Sequence, residues 1–153
     1  MQGAKVNLGV LYENGHGVPQ DKAEAARLYS DAAKQGLAVA YCDVGLAYDK
    51  GWGVEQDYSK ARYWYQQAAS TGDETAQDRL ADLYYLGLGG SRDRSEAVRW
   101  LTAAANQGSL SAAIKLGRIL TDEASSAAGR ISALTWFEIA RRRGAQLDPA
   151  RLP

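Results

Sequence analysis

Apolar and polar positions along the chain follow a helical period. Ala25, Leu28, Tyr29 and Ala32 fall on one stripe, and Val44 and Tyr48 stand four apart on another. The stripes recur. Gly36, Gly72, Gly108 and Gly144 are spaced by 36 residues each time, without insertion or deletion. The same shift superposes Ala4, Ala40, Ala76 and Ala112, then Ala25, Ala61, Ala97 and Ala133, then Ala32, Ala68, Ala104 and Ala140. Large side chains keep the register too: Leu28, Trp64, Trp100 and Trp136 share a column, and Tyr12, Tyr48 and Tyr84 share another, where Leu120 stands in the fourth unit. A self-similar period of this length marks a repeat architecture.

Each unit predicts two helices. The first runs through segments such as Ala40–Lys50, where Ala40 and Gly45 let a neighbouring helix approach closely. It ends at paired glycines, Gly15-His16-Gly17-Val18, Gly51-Trp52-Gly53-Val54 or Gly87-Leu88-Gly89-Gly90, which reach left-handed conformations without a Cβ clash. The second helix is expected to open at Asp21, Asp57 or Asp93. Glu24 and Glu96 three residues later complete a capping-box pattern, in which the glutamate reaches back. Gly36 and its equivalents close it, and the short link to the next unit favours antiparallel neighbours. A lone helix pair cannot bury both faces, whereas four stacked pairs can, so the pattern predicts an all-α solenoid. A single domain over 1–153 follows, with repeats at 4–39, 40–75, 76–111 and 112–147 and a tail at 148–153.

These columns resemble the Sel1-like repeat (SLR), a relative of the tetratricopeptide repeat. The second unit carries the pattern best: Val44-Gly45, Tyr48, Gly51-Trp52-Gly53-Val54, Asp57, Lys60-Ala61, Trp64, Ala68-Ala69 and Gly72. The resemblance implies a right-handed α/α superhelix serving as a non-catalytic protein-interaction scaffold, often bacterial and often an adaptor in envelope, secretion or regulatory complexes. An immunity-type inhibitor of a secreted effector is one concrete version. The alternative from another class is a cell-wall-associated hydrolase or a β-lactam- or peptidoglycan-binding protein. Departures cluster late. Ala81 replaces the first-helix glycine and Gly90 the valine of the third unit. Glu123, Ser125 and Gly129 replace glycine, glycine and aspartate in the fourth, so the segment Leu120–Arg130 is expected to be either re-formed or flexible. The first unit starts at Ala4 with no cap, which leaves an edge open to self-association.

Composition narrows the chemistry. Of 153 residues, 18 are Lys or Arg and 18 are Asp or Glu, so the formal net charge is zero, which argues against a general nucleic-acid binder. No apolar run is long enough for membrane insertion, and Met1–Lys5 lacks a signal-peptide pattern. Cys42 is the single cysteine and His16 the single histidine. That excludes an intramolecular disulfide, the cysteine-rich branch of the family, thiolate metal clusters and two-histidine metal sites. His16 reads as a loop residue and Cys42 as a small packing residue. No Ser-x-x-Lys or Gly-x-Ser-x-Gly occurs. The repeated Gly-x-Gly segments follow helices, so they read as turns rather than phosphate loops. No catalytic residue, cofactor or metal is expected.

Charge is uneven: residues 1–111 hold 11 basic against 14 acidic residues, and 112–153 hold 7 against 4. Arg141-Arg142-Arg143 closes the last helix, where it complements the dipole or offers an acidic partner a patch. In tetratricopeptide-like stacks the first helices line the concave face. Carried over by column, that face holds Val6, Val10, Glu13 and Asn14 from the first unit. Cys42, Leu46, Asp49 and Lys50 follow from the second, Asp78, Asp82, Tyr85 and Leu86 from the third, and Ile114 and Arg118 from the fourth. These columns vary in chemistry while the packing columns do not. The groove is expected to be apolar at its N-terminal end and acidic at Asp78 and Asp82, suited to a protein or peptide with apolar anchors and Lys or Arg.

Overall fold

The computed structural model describes residues 2–122 and 127–144. Among the described residues are eight α-helices and no strand: α1 (Gln2–Asn14), α2 (Lys22–Lys34), α3 (Tyr41–Lys50), α4 (Tyr58–Ser70), α5 (Glu74–Leu86), α6 (Arg94–Gln107), α7 (Leu110–Asp122) and α8 (Ala127–Arg142). They form four successive hairpins, α1–α2, α3–α4, α5–α6 and α7–α8, each packed on the next through the second helix of one and the first of its successor. The chain is a right-handed α-solenoid, and α3 also touches α5, so first helices lie beside one another.

Local chemistry sets the helix ends. Asp21, Asp57 and Asp93 sit in extended conformation and accept from the backbone N–H of Glu24, Lys60 and Glu96, satisfying donors the helix leaves orphaned. The glutamate half of the expected capping box does not form. Glu24 binds Arg27 and Glu96 binds Arg99, and the cap N–H groups of Asp21 and Asp93 already donate to the carbonyls of Tyr12 and Tyr84. First helices stop at glycines in left-handed conformation, such as Gly51 at φ 67°. The second glycine of the pair serves the contact between hairpins, because a Cβ on Gly53 would collide with the Lys22 carbonyl of the preceding one. That close approach accounts for the recurring turn.

Two starts depart from the period. Asp73 and Ser109 cap α5 and α7 by accepting from Ala76 N–H and Ala112 N–H, whereas Leu37 in the same column has nothing to offer. Without a side-chain cap, the first turn of the second unit tightens into a 3₁₀ turn, Ala38–Ala40, and α3 begins only at Tyr41. In the fourth unit, a start 36 residues after Arg94 would fall at Arg130, yet α8 already runs from Ala127. Gly129 is therefore inside the helix instead of capping it, and this part of the expected re-forming holds. Glu123 and Ser125 lie outside the described residues.

The alanine columns are the seams of the stack. Ala40, Ala61, Ala76, Ala97, Ala104, Ala112, Ala133 and Ala140 are fully buried, with Ala68 nearly so. Ala4 alone among its column is exposed, because no hairpin precedes it in the described residues. Side chains also staple hairpin to hairpin. The Lys22 ammonium lies 4.3 Å from the Trp52 ring centroid, and the Arg62 guanidinium 3.7 Å from that of Tyr84. Arg94 donates to the Ile119 carbonyl.

Candidate functional site

The first-helix face is shaped by how each hairpin closes. Gly45 leaves a notch in α3 that the Tyr65 ring of α4 fills. A Cβ at residue 45 would stand 2.6 Å from Tyr65 Cδ1. Gly9 makes the same notch for Tyr29 and Gly117 for Phe137. Two of these rings carry a hydroxyl, and each finds a carboxylate one column over: Tyr29 donates to Glu13 at 2.7 Å, and Tyr65 to Asp49 at 3.2 Å. A buried hydroxyl needs such an acceptor. Burial and the adjacent carboxylates push both phenols above their ordinary range.

This geometry changes the roles expected for several residues. Asp49 is only 7% exposed and is committed to Tyr65 and, at 3.1 Å, to Lys50. It is a closing element of its hairpin and not an open partner contact. Glu13 is likewise held by Tyr29, and Asn14 folds back to donate to the Val10 carbonyl. The expected acidic centre is also partly neutralised. Lys115 of α7 places its ammonium 2.9 Å from Asp78 and 2.8 Å from Asp82, so two carboxylates share one cation across the hairpin boundary. Asp78 further accepts from the Ser111 hydroxyl.

Cys42 is half-buried against the core, and burial followed by the carboxylates of Asp73 and Asp43 pushes its thiol up to about 12. A thiol held in that form is a packing group and a poor nucleophile. Asp43 on the same helix is raised to about 6, first by burial and then by Glu13 and Asp73. His16 is exposed in its loop. The arginine cluster is satisfied internally: Arg141 and Arg142 bind Glu138 at 2.8 Å, and Arg143 donates to the Ala105 carbonyl at 2.6 Å. What remains open on the first-helix face is a band of mixed character. Val10, Leu86 and Arg118 are exposed, and Val6, Leu46, Tyr85 and Ile114 are half-buried. Sequence reasoning missed Lys115, whose partners lie about one repeat away, and a cleft of about 270 Å³ between α5 and α7.

Tandem antiparallel hairpins, alanine seams and glycine-notched first helices define the class: a helical-repeat solenoid. The Sel1 repeat model matches residues 3–37, 38–73 and 75–109, and the chain belongs to the Sel1 repeat family. No curated protein matches it significantly. Among solved structures it is similar to c5321, a protective antigen of uropathogenic Escherichia coli strains displaying an SLR fold, with 33% identity and a TM-score of 0.86 over 94% of this chain and 31% of that one. A Sel1 repeat protein from Oxalobacter formigenes shares 32% identity with a TM-score of 0.82, over 95% of this chain and 59% of that chain. The cysteine-rich protein B of Helicobacter pylori shares 26% identity with a TM-score of 0.56, over 61% of this chain and 71% of that one. The chain thus spans about a third and three fifths of the lengths of the first two. Proteins of the family generally mediate protein–protein interaction and are typically non-catalytic scaffolds. Among the described residues, no helix is long and apolar enough to cross a membrane.

Proposed function

We propose that this chain is a non-catalytic docking module that receives a partner protein or peptide on its first-helix face, the inside of the superhelix. One observation supports this above the others: the alanine columns that join hairpins repeat unchanged and, Ala4 apart, are buried, while the open columns of α1, α3, α5 and α7 differ in chemistry from unit to unit. Packing requires the first set and places no demand on the second. Leu86 is 62% exposed beside a charged cluster, the apolar-within-polar arrangement on which interface anchors settle. The partner that fits has apolar side chains for Val10, Leu46 and Leu86 and a basic group for the surplus carboxylate at Asp78 and Asp82. A bacterial regulator or an immunity-type inhibitor of a secreted effector is the narrower form of this proposal.

Photo-crosslinking tests it. Benzoylphenylalanine is placed at Leu86 on the first-helix face or at Tyr63 on the second-helix face, which is 56% exposed and serves as the control. Adducts from residue 86 and none from residue 63 are expected in the native host. Adducts from 63 alone, or turnover of a β-lactam or glycan that one substitution abolishes, would overturn the proposal.

A further inference from the structure

First helices of successive hairpins meet in a register that Lys115 displays. Its ammonium reaches from α7 back to α5, 37 residues to Asp78 and 33 residues to Asp82. One repeat earlier the same three columns hold Arg79, Cys42 and Leu46. The cation is kept and both of its carboxylates are gone. Arg79 stands close enough to Cys42 to oppose the rise of its thiol, so the guanidinium lies toward α3 as the register requires. Among the described residues it makes no hydrogen bond and no ion pair. The acids nearby are occupied or out of reach. Asp73 accepts from the Ala76 N–H, and Asp49 is held by Tyr65 and Lys50. Asp43 is raised by burial, Glu13 and Asp73, with no cation to offset them. Arg79 is half-buried beside half-buried Cys42 and Leu46, so it is partly stripped of water without receiving a counter-charge.

We infer that Arg79 is the seat for a carboxylate of the docked partner, an aspartate or glutamate side chain standing where Asp78 and Asp82 stand against Lys115. The inference rests on the docking function proposed above and assigns the chemistry of one anchor. Three features select a carboxylate. The molecule itself fills the equivalent seat with carboxylates, at 2.9 and 2.8 Å from Lys115. The planar fork of arginine matches that group through two parallel hydrogen bonds. The negative charges of Glu13, Asp43 and Asp73 on this face repel a doubly charged phosphate more than a singly charged carboxylate. Apolar flanks at Cys42 and Leu46 make such a pair stronger than one on an open surface. Arg79 and Leu86 stand two turns apart on one face of α5. A partner seated on both carries its acid about 10 Å from its apolar anchor.

The test places benzoylphenylalanine at Leu86 and varies residue 79 in the native host. Arg79→Gln should cut the adduct yield several-fold, Arg79→Glu should abolish it and Arg79→Lys should keep most of it. Arg27→Gln, on the exposed surface of α2, is the control and should leave the yield unchanged. Arg79 has no internal partner to lose, so its variants should melt with the parent. The decisive arm is a charge swap. Acidic residues of the recovered partner are reversed to lysine one at a time, and one reversal should restore the adduct to Arg79→Glu. A partner in which no reversal restores it, or adducts that phosphatase treatment removes, would overturn the carboxylate seat. Adducts that survive Arg79→Gln and Arg79→Glu would retire the seat and leave the docking face standing. A parent protein that gives no adduct at residue 86 would retire both.

Discussion

The first two hairpins close with a tyrosine, a notched glycine and a carboxylate, and the last two close with apolar groups alone. Tyr29 and Tyr65 hold Glu13 and Asp49, but in the third and fourth units the ring column carries Leu101 and Phe137, and the acid column carries Tyr85 and Thr121. Thr121 spends its hydroxyl on its own helix, donating to the Gly117 carbonyl at 2.8 Å. The two columns therefore change together. A buried phenol without an acceptor is costly, so losing the tyrosine releases the acid column to take another residue. Two differences along the chain are one physical change, and in the third unit the shorter Leu101 lines an open cleft beside α5 and α7.

The strongest way to break this comparison is to disturb what the halves share. Ala68 and Ala104 occupy the same buried column, so Ala68→Leu and Ala104→Leu should each lower stability by about 1–3 kcal/mol in urea denaturation. Reversing the charge of exposed Arg27, which disturbs only its surface pairs with Glu24 and Asp31, should cost less than either. A large gap between the two alanine variants would mean that the halves differ in more than their notches. The next effect falls on the side that has the polar closure. Tyr65→Phe strips the hydroxyl from buried Asp49 and should cost about 1–3 kcal/mol. Phe137→Tyr in the fourth unit should yield no gain unless Thr121→Glu accompanies it.

A smaller effect sharpens the contrast at the helix starts. Leu37→Asp gives α3 the cap that Asp73 gives α5, and should raise stability by about 1 kcal/mol, with Asp73→Ala losing about as much. The subtlest concerns pH. Asp43 binds its proton more tightly in the fold than in the unfolded chain, being raised to about 6 from an ordinary 3.8. Between those values the folded state holds more protons, so this residue makes stability fall as pH rises from about 4 to 6. Asp43→Asn should lack that slope, so the stability of the parent protein relative to the variant should fall between about pH 4 and 6 and be flat above it, as read from melting curves across that range.

The fold was legible because small residues recur at fixed spacing, and small residues at fixed spacing are what helix crossings demand. Gly45, Gly51 and Ala68 announced their roles in one dimension, whereas Gly53 read as part of a turn and proved to be a contact between hairpins. The pairing of Glu13 with Tyr29 and Asp49 with Tyr65 was also written in the columns, but a carboxylate facing solvent and one under a ring look alike in sequence. Only burial separated them. Lys115 was harder still. Its partners Asp78 and Asp82 belong to another hairpin, and the rotation between hairpins decides which residues face each other. The 3₁₀ start at Ala38 follows from a missing oxygen at Leu37, a signal readable only once its column-mates Asp73 and Ser109 are known to be caps. The cleft beside Leu101 is an absence of atoms, which no residue type encodes by itself.

The claim on which the rest depends is that the first helices carry the partner. Hydrogen exchange of the chain, alone and with the partner recovered by cross-linking, tests it most directly. Slowed exchange in α3, α5 and α7, with α4 and α6 unchanged, is the predicted result. Protection confined to α4 and α6 would contradict it.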